Sequence, residues 1–151
     1  MGDQMDSEPR RAVVTALVEL GRSRDFRDRA DAGHGLAAFA DVQEARRPLL
    51  ELVLDQADTM VTLVTAEALL RRQDKAGLSV LASAWEAAGG QQRGWIHTAI
   101  DDVLGIFSED RDKAMRLCEE LMQDDAADGT ARRARRLHEI LVGLDPVLRP
   151  A

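Results

Sequence analysis

A small residue recurs along the chain at Ala30, Thr65, Ala99 and Ala134, at spacings of 35, 34 and 35. An aspartate recurs at Asp41, Asp74, Asp110 and Asp145, at spacings of 33, 36 and 35. Self-similarity at such a period marks a chain built from stacked units, each unable to bury its own apolar face. Counting from the aspartate, offsets 4, 7, 8 and 11 trace one helical face. They fall on Ala45, Pro48, Leu49 and Leu52, on Leu78, Leu81, Ala82 and Trp85, and on Ala114, Leu117, Cys118 and Leu121. Three units therefore share one apolar stripe, interrupted only by Pro48.

Periodicity, caps and breakers predict eight helices, at about 8–20, 26–39, 41–54, 59–72, 75–88, 94–107, 110–123 and 131–143. Ser7 is placed to cap the first, with Pro9 in its permissive first turn and Gly21 after its end. Asp41 with Glu44 reads as a capping box for the third. Asp74 starts the fifth, and Gly89–Gly90 stop it. No segment alternates long enough to read as a strand. "RADAGHGLAAFAD", 29–41, places two glycines inside a helix, each costing about 1 kcal/mol relative to Ala. Gly33 matches the small position Ala68, which gives a packing reason; Gly35 matches Leu70 and Leu104, and reads instead as a kink.

Aromatic residues are 3% of the chain, with no Tyr, a diet that helix packing tolerates better than a β-sandwich does. The paired helices, the small residue in each first helix and the Asp before each Leu-rich second helix resemble the HEAT repeat family over about residues 24–149. The unit 63–84, "LVTAEALLRRQDKAGLSVLASA", carries the likeness most clearly, and Asp145–Pro146 fits the family's turn. Arg27 fits the family's first-helix Arg, which Thr62, Ile96 and Ala131 replace elsewhere. The resemblance implies an all-α, short right-handed α-solenoid of about three and a half helix pairs, with the first helix as N-terminal cap. Residues 1–7 would be a disordered N-terminus and 8–151 a single domain. The chain stops where a second helix of unit four would begin. The tail is therefore expected to fold back, with Val147 and Leu148 as partial cover, or a partner or second copy to cover that end.

No Walker loop, Rossmann glycine fingerprint, HExxH, CxxC or GxSxG is present. His34 and His138 share a repeat phase more than two units apart, too far to ligate one metal, and His97 lies at another phase. Cys118 falls in the core stripe, so a small buried hydrophobe is expected rather than a nucleophile. Asp124, Asp125 and Asp128 lack the EF-hand's Gly and terminal Glu. No catalytic constellation, metal or cofactor is expected, and no run is long enough to span a membrane. The N-terminus lacks a signal peptide's regions and one Cys precludes an internal disulfide, which fits a cytoplasmic chain.

Net charge is −7, with ten Asp/Glu against three Lys/Arg in 101–128 and five Arg against two acids in 131–151. Global acidity argues against nucleic acid and permits a basic protein partner. The expected function is a non-catalytic protein-binding module using the second-helix surface. Small acidic HEAT-like bacterial proteins resemble immunity proteins, which implies neutralisation of a toxin partner. The candidate contacts are Arg46, Arg47, Glu51, Glu86, Trp95, Arg116, Glu119, Glu120, Arg132 and Arg133. Trp95, in the column of Phe26 and Val61, is otherwise expected to pack between units. The alternative is a nucleic-acid or lesion-binding protein using the Arg pairs at 46–47, 71–72 and 132–136.

Overall fold

The computed structural model describes residues 2–124 and 127–150. Among these it has eight helices: α1 (Gly2–Leu20), α2 (Phe26–Ala37), α3 (Gln43–Val53), α4 (Thr59–Arg71), α5 (Lys75–Ala87), α6 (Gly90–Leu104), α7 (Ser108–Met122) and α8 (Thr130–Val142). The described residues contain no strand, only an isolated bridge between Phe107 and Leu148. The all-α expectation holds. No helix of the described residues is long and apolar enough to cross a membrane.

Apolar spacing decides the packing. The four small residues Ala30, Thr65, Ala99 and Ala134 are all buried, and every residue of the shared stripe on α3, α5 and α7 is buried or half-buried. Helix α4 packs between α2 and α6, and α5 between α3 and α7, while α1 lies on α2 and α3 and buries Val14. One contiguous core results, with Leu36, Leu49, Leu69, Leu81, Ile96 and Ile100 fully enclosed. Each such side chain contributes roughly 1.5–3 kcal/mol relative to exposure.

Helix α8 departs from the repeat phase. Its small residue Ala134 places it with the first helices, yet it packs on α7 and α5 rather than extending the α2, α4, α6 row. Ala134, Leu137 and Leu141 are buried there. The tail folds back, but not over α8. Val147 N–H donates to Gly105 O and Leu148 N–H to Ile106 O, at 3.0 and 2.7 Å, and Ser108 N–H donates to Leu148 O at 2.9 Å. Leu144 and Pro146 are buried, whereas Val147 and Leu148 are exposed and cover little. Backbone pairing, together with the burial of Leu144 and Pro146, fastens this segment to the α6–α7 turn.

Several boundaries move for identifiable reasons. Helix α1 begins at Gly2, ahead of Ser7, with Pro9 inside it. Val42, not Asp41, occupies the N-cap of α3 and offers no side-chain cap. Asp41 instead receives Arg10 at 3.1 Å and Arg72 at 3.5 Å. Gly89–Gly90 end α5 and also start α6, where the Gln92 side chain accepts from Gly89 N–H at 3.2 Å. Phe107 precedes α7, so Asp110 lies within its first turn. Asp74 caps α5 as expected, accepting from Gly77 N–H at 2.9 Å.

Both glycines of the 29–41 segment lie within α2. A Cβ on Gly33 would stand 1.9 Å from the Thr65 hydroxyl oxygen, so α2 and α4 approach there more closely than any side chain allows. A Cβ on Gly35 would stand 3.0 Å from a Leu17 methyl. Packing against Leu17 of α1 therefore gives Gly35 a reason that its repeat position did not supply.

Candidate functional site

Helices α3, α5, α7 and α8 form the face that gathers nearly all the candidate residues. Arg46 and Arg47 project from α3, Glu86 from α5, Arg116, Glu119 and Glu120 from α7, and Arg132 and Arg133 from α8. Their outward placement follows from the apolar stripes that turn the opposite faces into the core. Arg46, Arg47 and Arg133 line a groove of about 280 Å³ with Ser79, Ser83, Asp128 and Thr130. A larger cleft of about 570 Å³ lies beside it, bounded by Trp85 from α5 and by Arg132, Arg135, Arg136, Glu139 and Ile140 from α8.

The candidate acids of this face are engaged within the chain, whereas Glu139 in the cleft wall is exposed and has no side-chain partner among the described residues. Glu86 receives Arg132 at 2.6 Å and lies 3.6 Å from Arg133, tying α5 to α8. Glu119 lies 3.2 Å from His138 Nε2, Glu120 lies 3.6 Å from Lys75 Nζ, and Glu51 lies 3.4 Å from Arg47. Arg135 and Arg136 are exposed and have no hydrogen-bond or ion-pair partner among the described residues. Arg93 lies 5.3 Å from the Trp85 ring centroid and donates to Trp85 O at 3.0 Å, which holds the indole in place at the cleft. At the start of α8, the Thr130 hydroxyl and N–H donate to Asp128 at 2.6 and 3.0 Å and hold its carboxyl below the usual range.

Trp95 does not join this face. It lies on α6, in the other helix row, and is 36% exposed, so the expected packing between units is corrected. It stands in the second turn of α6, and Phe26 and Met60, near the starts of α2 and α4, are exposed as well. Arg71 and Arg72 are elsewhere too. Arg71 pairs with Glu67, and Arg72 donates to Ala37 O, Ala38 O and Asp74, so it binds the helix turns together.

The histidines are dispersed. His34 is exposed; His97 Nδ1 lies 3.1 Å from Asp101; and only His138 borders the charged face. Burial, with a smaller effect from Glu119, pushes the Cys118 thiol up to about 12, so it carries no thiolate at neutral pH. No three His, Cys, Asp or Glu residues gather to hold a metal among the described residues. Asp125 lies outside those residues.

Sequence reasoning missed Ser79, Ser83 and Lys75 on this face. Their only signal is a place on the outward side of α5, which becomes informative once α8 is known to lie across that helix. No protein-family model, curated protein or solved structure matches the chain.

Proposed function

We propose that this chain is a non-catalytic protein-binding module of HEAT-like architecture, and that it docks its partner on the α3, α5, α8 face. Three helix pairs, α2/α3, α4/α5 and α6/α7, would form a short α-solenoid capped by α1. The repeat spacings and the two successive helix rows support this reading. Helix α8 would then be a terminal element laid along the second-helix side.

The observation that carries the functional reading is convergence. Arg46 and Arg47 of α3 line one groove with Arg133 of α8 although most of the chain separates them. Surface charges dispersed at random would not border one concavity on rigid helices, and rigid placement lowers the entropy cost of binding. Toxin neutralisation is the specific form of this proposal that a small acidic helical-repeat protein suggests.

Partner capture tests it. Tagged chain should recover a defined protein from its own cells, and Arg46→Glu with Arg47→Glu should abolish recovery while leaving the thermal melt unchanged. Arg24→Glu, on another surface, should leave recovery intact. Failure to recover any protein, or recovery indifferent to the α3 substitutions, sinks the reading. Protection of cells by co-expression against a toxin, lost in the same variant, would give the partner its class.

A further inference from the structure

The global charge of −7 points to a basic partner, but the local chemistry of the second-helix face points the other way. Its candidate acids Glu51, Glu86 and Glu120 each already face a cation of this chain, and Glu119 faces His138 Nε2. Among its free charges, the guanidinium pair Arg135 and Arg136 stands together on the rim of the cleft of about 570 Å³, with Glu139 beside it. The walls of that cleft are the Trp85 indole and Ile140. We infer that this cleft is the anchoring subsite for an acidic segment of a partner protein, with two carboxylates on Arg135 and Arg136 and an adjacent apolar side chain against Trp85 and Ile140. The inference rests on the protein-binding reading and adds the partner's chemistry to it.

Charge-assisted guanidinium–carboxylate bonds are about twice as strong as neutral ones, and planar guanidinium suits a carboxylate fork. A half-buried indole supplies the apolar contact that distinguishes an anchor from mere charge attraction. A polynucleotide fits less well. Its affinity needs many simultaneous phosphate contacts, whereas only two free guanidiniums stand here, beside Glu139 and on a chain that repels polyanions at long range.

Trp95→Phe leaves Trp85 as the sole indole, so fluorescence of that full-length variant reports this cleft alone. It is titrated with a short peptide of glutamates flanking one leucine. Three further probes are the same peptide with serine for leucine, its lysine counterpart, and a single-stranded oligonucleotide. The acidic leucine peptide should shift Trp85 emission saturably, more tightly than the serine peptide, and the lysine peptide should leave it unchanged. Arg135→Glu with Arg136→Glu should weaken the acidic peptide by about tenfold or more. Both residues are exposed and unpaired, so the melt should not move.

No saturable response, or equal affinity in the charge-reversed variant, overturns the inference. Tighter binding of the oligonucleotide than of either acidic peptide overturns it in favour of a nucleic-acid site. The two proposals fail separately. A partner that is captured through α3 and remains captured by the Arg135→Glu, Arg136→Glu variant removes this subsite and leaves the binding module standing.

Discussion

Gly33 shows what a single missing carbon does to this architecture. Its backbone lies so close to Thr65 that an added Cβ would fall 1.9 Å from the Thr65 hydroxyl oxygen, and Thr65 is wholly buried. In an open helix Gly→Ala stabilises by about 1 kcal/mol. Here the clash should dominate, because overpacking a core costs about 1–3 kcal/mol. Gly33→Ala is therefore expected to lower stability in urea unfolding, and Gly33→Leu to lower it further. Thr65→Ala removes the clashing hydroxyl and methyl, so the double variant Gly33→Ala, Thr65→Ala should recover part of the loss. Additive costs in that cycle would show that the two residues do not touch. The repeat phase made this legible in the sequence: Gly33 shares a position with Ala68, and small residues permit close helices. Gly35 was not legible. Its partner Leu17 belongs to α1, which lies outside the repeat and so has no phase to align.

At the scale of elements, the recurring aspartates look equivalent in sequence and are not equivalent in structure. Asp74 caps α5 through Gly77 N–H and receives both Nε and Nη2 of Arg72. Arg72 in turn donates to the last carbonyls around the end of α2. Asp145, by contrast, meets only the exposed Arg149 among the described residues. Asp74→Ala should therefore cost about 1–2 kcal/mol, chiefly from the lost cap, while Asp145→Ala should stay within about 0.5 kcal/mol. Because Asp74 is partly exposed, its ion pair adds little to that figure. Asp74→Asn, which keeps a capping oxygen, should cost less than Ala; equal losses for the two would show that charge rather than capping dominates. Labelling of the buried Cys118 thiol is a convenient readout, since reagent reaches it only on opening. Helix α8 shows where spacing stops informing. Ala134, Leu137 and Leu141 form a stripe that serves equally well against α6 or against α7 and α5. Which it meets depends on the turn before it, where Gly129 takes a left-handed φ of 86°. The candidate face was legible as a set of second-helix charges, but its cleft was not, because the cleft exists only where α8 crosses α5.

Across the whole molecule, ion pairs fasten helices and turns to one another, and their protonation sets how the fold responds to acid. Arg29 and Asp55 meet at 2.7 Å with side chains only 13% and 10% exposed, joining the start of α2 to the α3–α4 turn. Burial alone would push the Asp55 carboxyl up; the Arg29 hydrogen bond, aided by N–H groups of Asp58 and Ala57, overrides it and holds the carboxyl below the usual range. Asp41 and Asp74 are depressed in the same way, burial again opposing and hydrogen bonds to Arg10 and Arg72 among the forces that prevail. Glu67 runs opposite: burial, then Asp102 nearby, raises its carboxyl despite Arg71. A carboxyl depressed on folding contributes stability that is fully present above its unfolded value, about 3.9 for Asp, and is lost as pH falls through the folded value. Four depressed groups, the exposed Asp128 among them, outweigh one raised group, so the melting temperature should hold nearly level from neutral pH to about 5 and fall steeply below about 4. The raised Glu67 softens the onset, since protonating it favours the folded state. Removing one partner of a well-buried pair costs about 3–5 kcal/mol, because the other charge is left stranded. Arg29→Met should therefore destabilise markedly at neutral pH. In Arg29→Met the Asp55 carboxyl keeps its burial and loses its cation, so its folded value rises. That variant should then lose less stability on acidification than the parent. If both proteins lose stability in parallel below pH 4, the Arg29–Asp55 pair is not what couples the fold to acid, and the dependence must sit with Asp41, Asp74 and Asp128.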